Sequence, residues 1–563
     1  MKRIFRLSAI LASLCMAAGT LTACSGGTAS PAQASSAGGS SAAASPASAE
    51  APAFNFNETG FPIVNEPVTQ SMIVPINPSY NIEDMSKMWF FEKMQEKTNV
   101  SFDFEVLTTD QWEERKNLMF ASNELPDIIT GGLSNNDIIT YSQAKQIVPI
   151  GDLIEKYAPD YAAVLKLYPD TAKFYTPDGK LYGMANFVGG YAEMPGSRAF
   201  INVQWLKNLG LSHPTTWDEF YDVMVAFRDK DPDGNGQNDT IPLCGYSTGY
   251  AVDPFVAGPL GISFGWAKKD NWQIIDGKMV YVAEHPQYKQ YLINMNRLYT
   301  EKLLDQEYYT QNDAQYTAKG SNMLVGACTC AAPFVLTSTT DPAVYEQYDI
   351  IGPLTSDVFS EKKWYGSNVG SQGMFITSAN KNPEISLRYF NEIYTEDGAW
   401  FLVGPEKGEW DEHPEYGRVW NEDKSKYTYD LPEEFNGLFP WMNTFVAPIN
   451  TVPFHGYRHF SEAMGAEAMF PEDVVLLAQL QKNMPYMDPG SPTLFFTPEE
   501  LEEIKLIEAS LYTYCEQMEA KIVMGEESID AYDTMLAELK NQGLEKLTEV
   551  YNTAYDRYKS NLK

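Results

Sequence analysis

Basic residues are scarce: 41 Lys and Arg stand against 75 Asp and Glu, a formal charge of −34. Binding phosphates needs the opposite balance, so nucleic acid is excluded as a partner. Cysteine is nearly as sparse, with 6 in the whole chain. Cys15 and Cys24 belong to an N-terminal export segment, and the remaining Cys244, Cys328, Cys330 and Cys515 are too few for a disulfide scaffold. In "GACTCAAPF" there is no second Cys pair and no His pair to complete a zinc site, so these read as small buried thiols. Neither an H-E-x-x-H pair nor a phosphate loop is present. His455 and His459 in "HGYRH" lack the intervening Glu and read as packing or surface residues rather than zinc ligands. A secreted glycosidase working with two carboxylates draws no support from 75 acidic residues, because some pair among so many always has a suitable look.

What is there begins with export. Lys2, Arg3 and Arg6 precede the apolar "LSAILASLCMAAG", which is too short for a comfortable membrane span, and "LTACS" follows. Residues 1–23 therefore read as a signal peptide, with Leu21, Ala23 and Cys24 as the lipobox at which a bacterial lipoprotein is cleaved and diacylated on Cys24. Through about residue 60 the chain is rich in Ser, Ala, Gly and Pro, which bury too little apolar area to fold, so residues 24–60 are expected to be a flexible leash. No later apolar run approaches membrane-spanning length.

Strand-like and helix-like stretches alternate beyond the leash: "SMIVPINP", "EDMSKMWFFEKMQEKTN", "VSFDFEVL", "QWEERKNLMFASNE", "LPDIIT". This is how the βαβ units of a largely parallel sheet read, and such α/β sheets bind ligands at the carboxyl ends of their strands. Thr216 and Glu219 form a capping box for a helix with an apolar stripe of Phe220, Val223, Met224 and Phe227. In the tail, Thr497, Pro498 and Glu500 start another helix, and Ile504, Ile507, Leu511, Tyr514, Met518 and Ile522 recur at helical spacing. Two more helices follow it.

Directly after the Thr216 helix comes "DKDPDGNGQNDTIP". Asp231, Asp233 and Asn235 offer oxygens at every second position, Gln237 offers its backbone carbonyl, and Asp239 adds a carboxylate. That spacing matches the first nine positions of an EF-hand loop and suits calcium, which accepts six to eight oxygens at loose geometry. At position twelve, where a sensor needs a bidentate Glu, stands Pro242, which also cannot continue into an exiting helix. A static calcium clip is the reading preferred here; a metal-free Asp/Asn/Gly surface turn is the alternative.

Several stretches together resemble the extracellular solute-binding lipoproteins of bacterial ABC importers, of the carbohydrate type related to alginate-binding proteins. They are "NELPDII", "VPIGDLIEKYAP", "GKLYGM", "WLKNLGLSHPTTWDEFYDVMVAFRDKDPDGNGQNDTIPL", "LYTEKLLDQE", "ITSANKNPE" and "IVMGEESIDAYDTMLAELKNQGLEKLTEVYNTAYDRY". The resemblance implies a type II-like fold of two α/β lobes with a hinge, an interlobe cleft and extra C-terminal helices. Lobe 1 would be residues 61–198 plus 373–415, and lobe 2 residues 199–372 plus 416–563, with the chain crossing near Arg198 to Asn202 and Gly373 to Thr377. It further implies a monomeric, non-enzymatic receptor that hands an oligosaccharide to ABC permease subunits, and one calcium on Asp231, Asp233, Asn235, Gln237 and Asp239. Where the family often carries a Glu ligand, this chain has Thr240.

Sugars present CH faces and hydroxyls, so their clefts combine stacked aromatics with polar groups. From their places in irregular segments or beside the two crossings, Tyr191, Trp266, Trp364, Trp410 and Trp441 are the candidate stacking rings, with Glu193, Arg198 and Asn368 as hydrogen-bonding partners. A binder of peptides or other solutes on the same scaffold, and a surface adhesin, stay open at this point.

Overall fold

The computed structural model describes residues 55–76, 82–187, 198–237, 239–264, 271–339, 341–365, 369–420, 422, 427–432, 441–448 and 471–562. Tyr191, Glu193, Trp266, Asn368, Cys24, His455 and His459 lie outside them. Two sheets organise the chain. In the first, β1 (Val68–Ile76) pairs in parallel with β2 (Val100–Thr108) and β3 (Ile128–Thr130), and the register sets Met72 opposite Ile128. The later strand β12 (Val369–Ile376) runs antiparallel to β3 and to β4 (Gly183–Phe187), which gives the order β2-β1-β3-β12-β4. The apolar run of β1 fits this central place, because a strand covered on both faces must be apolar at odd and even positions alike. Met72, Val74 and Ile76 enter one core with Trp89, Phe90, Ile154 and Phe390, while Ile73 enters the opposite core with Met119, Ile129 and Phe375.

The second sheet has the order β10-β5-β9-β6, built from β5 (Ala199–Asn202), β6 (Ile241–Cys244), β9 (Val325–Thr329) and β10 (Tyr348–Ile350). β6 and β9 are parallel, whereas β5 runs against both β9 and β10. Strand alternation again divides two cores: Ile201, Leu243 and Ala327 face Trp205, Phe220 and Phe227, whereas Phe200, Cys244 and Cys328 face Tyr316, Tyr348 and Leu480. The expected capping box forms: Glu219 N donates to Thr216 Oγ1 at 3.2 Å, and Glu219 Oε2 accepts from Thr216 N at 3.2 Å. The tail is helical over Pro498–Met524, Ala531–Asn541 and Leu544–Asn561, and its Ile504, Leu511, Ile522, Leu539 and Leu547 join the core of the second sheet. Smaller pieces are the hairpin β7 (Trp272–Ile275)–β8 (Lys278–Tyr281), the parallel pair β11 (Trp364–Tyr365)–β15 (Met487–Asp488), and the hairpin β13 (Gly417–Trp420)–β14 (Tyr427–Asp430).

Strand directions decide where a site can be. β4 runs parallel to β1, so it ends at the carboxyl rim of the first sheet; β5 runs against β9, so it begins at the carboxyl rim of the second. β10 and β12 repeat the relation in the return direction. Each of the two links between the sheets therefore leaves one carboxyl rim and re-enters at the other. They occupy 188–198 and 351–368, just before the positions expected from sequence, because Ala199–Asn202 and Gly373–Ile376 are already hydrogen-bonded within the sheets. A second difference concerns residues 416–447. Tyr416, Tyr429, Trp441, Met442 and Val446 pack with the core of the first sheet rather than that of the second.

Candidate ligand cleft

At the rim of the second sheet, β6 runs straight into Gly245 and Tyr246. The turn that follows is tight: Tyr246 N donates to Tyr250 O at 3.0 Å and Gly249 N to Tyr246 O at 3.2 Å. Three tyrosines meet there. Tyr246 and Tyr250 stand edge to face at 5.8 Å, and both lie over Tyr316, at 5.4 and 5.6 Å. Tyr316 is fully buried and donates to Thr329 O at 2.8 Å, so it is the floor, while Tyr246 and Tyr250 remain half-buried. Tyr246 donates to Asp313 Oδ1 at 3.1 Å. Burial, and then the Asp313 charge, push the Tyr246 hydroxyl up to about 12. Asp313 opens the helix Asp313–Ser321, which runs down to β9 and so starts at this rim.

The turn is held from below. Gln311 Nε2 donates to Gly245 O at 2.6 Å and to Asp305 Oδ2 at 3.0 Å, and Thr329 Oγ1 donates to Tyr250 O at 2.7 Å. Residues 245–249, "GYSTG", also have the G-x-S-x-G spacing of a hydrolase nucleophile elbow. An elbow strains its Ser on a sharp strand-to-helix turn; Ser247 lies outside the left-handed region, and no helix begins before Asp253. The first sheet presents glycines at its rim. Gly131 N donates to Gly373 O at 2.6 Å, and Trp112 Nε1 to Gly132 O at 2.8 Å.

Of the residues singled out from sequence, Arg198 lies at this rim but under its surface. It is buried, Nη1 donates to Ala331 O at 2.7 Å, and loss of hydration draws its pKa down to about 10. Trp364 is buried too, and lines a small pocket with Phe255, Phe264 and Asn483. Trp410 and Trp441 are core residues. Trp410 packs edge-on against Trp89 at 6.1 Å and donates to Glu92 Oε2 at 3.2 Å, and Trp441 is fully buried beside Tyr429. Long segments without regular structure in the sequence proved to be packed, so neither ring is free to stack on a ligand. Cys244, Cys328, Cys330 and Cys515 are buried and form no disulfide, and Cys328 and Cys330 are the small buried thiols expected of them. Tyr246, Tyr250 and Asp313 were not singled out; the available signal was a Gly-Tyr pair directly after the strand "IPLC".

The polar loop after the helix Trp217–Asp229 turns its carboxylates inward. Asn235 N donates to Asp231 Oδ1 and Asp233 Oδ1 at 3.1 and 3.2 Å, and its amide stands between Asp233 and Asp239, donating to them at 2.7 and 3.3 Å. Backbone bonds, Gly236 N first, hold Asp231 below its ordinary pKa; burial raises Asp233, and the charges of Asp231 and Asp239 add to this. Among the described residues no three His, Cys, Asp or Glu side chains form a ready cation cage. The donor set nevertheless fits calcium: rotating the Asn235 amide would exchange a donor for an oxygen between two crowded carboxylates. Thr240 Oγ1 donates to Phe227 O at 3.0 Å, tying the loop's exit to the helix before it.

The sequence profile of the bacterial extracellular solute-binding proteins matches residues 80–400, more than half of the chain. The chain belongs to this family. The fructooligosaccharide ABC transporter substrate-binding protein FusA of Streptococcus pneumoniae is 26% identical to this solute-binding protein over 536 residues, 91% of this chain and 95% of FusA. The structure of FusA in complex with kestose has a TM-score of 0.69 at 24% identity, covering 88% of this chain and 100% of that one. A FusA EF-hand mutant in complex with fructo-nystose gives 0.68 at 23%, again over 88% and 100%. An extracellular solute-binding protein from Bifidobacterium longum subsp. infantis gives 0.73 at 20%, over 88% and 98%. These likenesses establish the type II-like α/β fold of solute-binding proteins.

Proposed function

We propose that this protein is a lipid-anchored receptor that captures an oligosaccharide between the two carboxyl rims and delivers it to an ABC permease, without chemical change to the sugar. The observation that carries the reading is the end-to-end likeness to FusA, over 91% of this chain and 95% of that one. The rim-to-rim connections agree with it, since closure about two such connections encloses whatever binds between them. In this reading one lobe is built on the first sheet and runs on through about residue 447, and the other is built on the second sheet with the C-terminal helices. Cys24 carries the lipid, and the leash gives the receptor reach on the outer side of the membrane. The loop Asp231–Asp239 holds calcium as a static clip, in line with the EF-hand named for FusA. It stiffens the end of one helix and takes no part in ligand contact.

Thermal melts of the mature protein against a panel of neutral and acidic oligosaccharides test the receptor. Stabilisation that saturates with one sugar class is the expected result, because a ligand that binds only the folded state raises its melting temperature. Release of shorter sugars from any member of the panel would refute the non-enzymatic reading.

A further inference from the structure

We infer that Tyr246, Tyr250 and Asp313 form a subsite for an uncharged sugar ring, and that this subsite discriminates against uronic acids. The inference rests on the receptor function proposed above and specifies the ligand class. Two half-buried rings, edge to face at 5.8 Å on a fixed tyrosine floor, bring aromatic surface to the rim, the kind of surface that packs on a sugar's CH groups. The turn carrying them is pinned by Gln311 to Gly245 O and by Thr329 to Tyr250 O, so little ordering remains to be done on binding.

Beside the rings stands an exposed carboxylate. Tyr246 fills one of the roughly four acceptor positions of Asp313, and sugar hydroxyls are donors that suit the others. On the helix that Asp313 opens, the one lysine is already paired with carboxylates. Lys319 is held by Asp305 and Glu307 at 2.6 and 2.7 Å. The Arg198 guanidinium is buried and donates to Ala331 O. A uronate laid on Tyr246 would bring its carboxylate to Asp313 in a protein already at −34, a repulsive element of the kind that sets specificity.

The test is titration calorimetry on the mature protein with kestose, maltotetraose and trigalacturonate. Expected is binding of a neutral sugar with trigalacturonate at least tenfold weaker. Tyr246→Ala should weaken the neutral ligand on the order of tenfold or more, and Tyr246→Phe, which keeps the ring, by only about threefold. Asp313→Asn, a surface change that leaves the fold intact, should weaken the neutral ligand by about tenfold and narrow the gap to trigalacturonate. Equal or tighter binding of trigalacturonate, or neutral binding indifferent to both Tyr246→Ala and Asp313→Asn, overturns the subsite while the receptor stands. Binding of no sugar overturns the receptor reading and the subsite together.

Discussion

Gly245 offers the sharpest test of how the rim is built. A Cβ placed there lies 2.5 Å from Tyr250 O, 2.7 Å from Val252 Cγ1 and 2.9 Å from Thr329 Oγ1. The first of these is backbone and is already the acceptor of bonds from Tyr246 N, 3.0 Å, and Thr329 Oγ1, 2.7 Å. It cannot retreat without stretching both. Overpacking of this kind costs about 1–3 kcal/mol, and weakening one buried hydrogen bond adds about 1 kcal/mol. Gly245→Ala should therefore lose about 2–4 kcal/mol in urea unfolding, and in calorimetry its sugar affinity should fall because the Tyr246 and Tyr250 rings move with the turn. Gly258→Ala is the matched control. Its added methyl meets nothing within 4 Å and its backbone is helical at φ −50°, so stability should hold or rise slightly. If Gly245→Ala unfolds within about 0.5 kcal/mol of the parent and binds sugar unchanged, the claim that this turn positions the rings is wrong.

Three further outcomes are expected. A calcium site with a dissociation constant near 10⁻⁵ M gives about 2.7 kcal/mol at 1 mM calcium, so melts in calcium and in EDTA should differ by several degrees; superimposed melts would count against the clip. Lys116, whose side chain is 6% exposed, pairs with Asp137 and Glu113 at 2.9 Å each, so Lys116→Met should lose about 2–3 kcal/mol, with Lys116→Met/Asp137→Asn recovering part of it. Equal losses in the single and double variants would show that the pair is not the cause. Because the Tyr246 pKa is raised in the fold, its contribution to stability is complete below pH 10 and is lost as pH rises through about 12. The ultraviolet difference between the parent and Tyr246→Phe should therefore titrate near 12, and a midpoint at 10 would remove the burial and Asp313 from the account.

Sequence alone determined what is local. The alternation of β1 to β3 with helices, the capping boxes at Thr216–Glu219 and Thr497–Glu500, and the oxygen spacing from Asp231 to Asp239 each depend on residues a few positions apart, so periodicity and turn chemistry were enough to read them. Cysteine count and spacing likewise foretold the absence of a disulfide scaffold and the burial of the Cys328 and Cys330 thiols. Which aromatic rings meet a ligand is a different kind of fact. Trp410 and Trp441 lie in stretches without a strong period, yet the first core closes over them, because burial follows from which segments pack together and not from how a segment reads. Tyr246, Tyr250 and Asp313 are up to 67 residues apart and became one site only because β6 and the helix Asp313–Ser321 reach the same edge of one sheet. Strand direction, which no single segment encodes, decided that this edge is the one facing the connections to the other sheet.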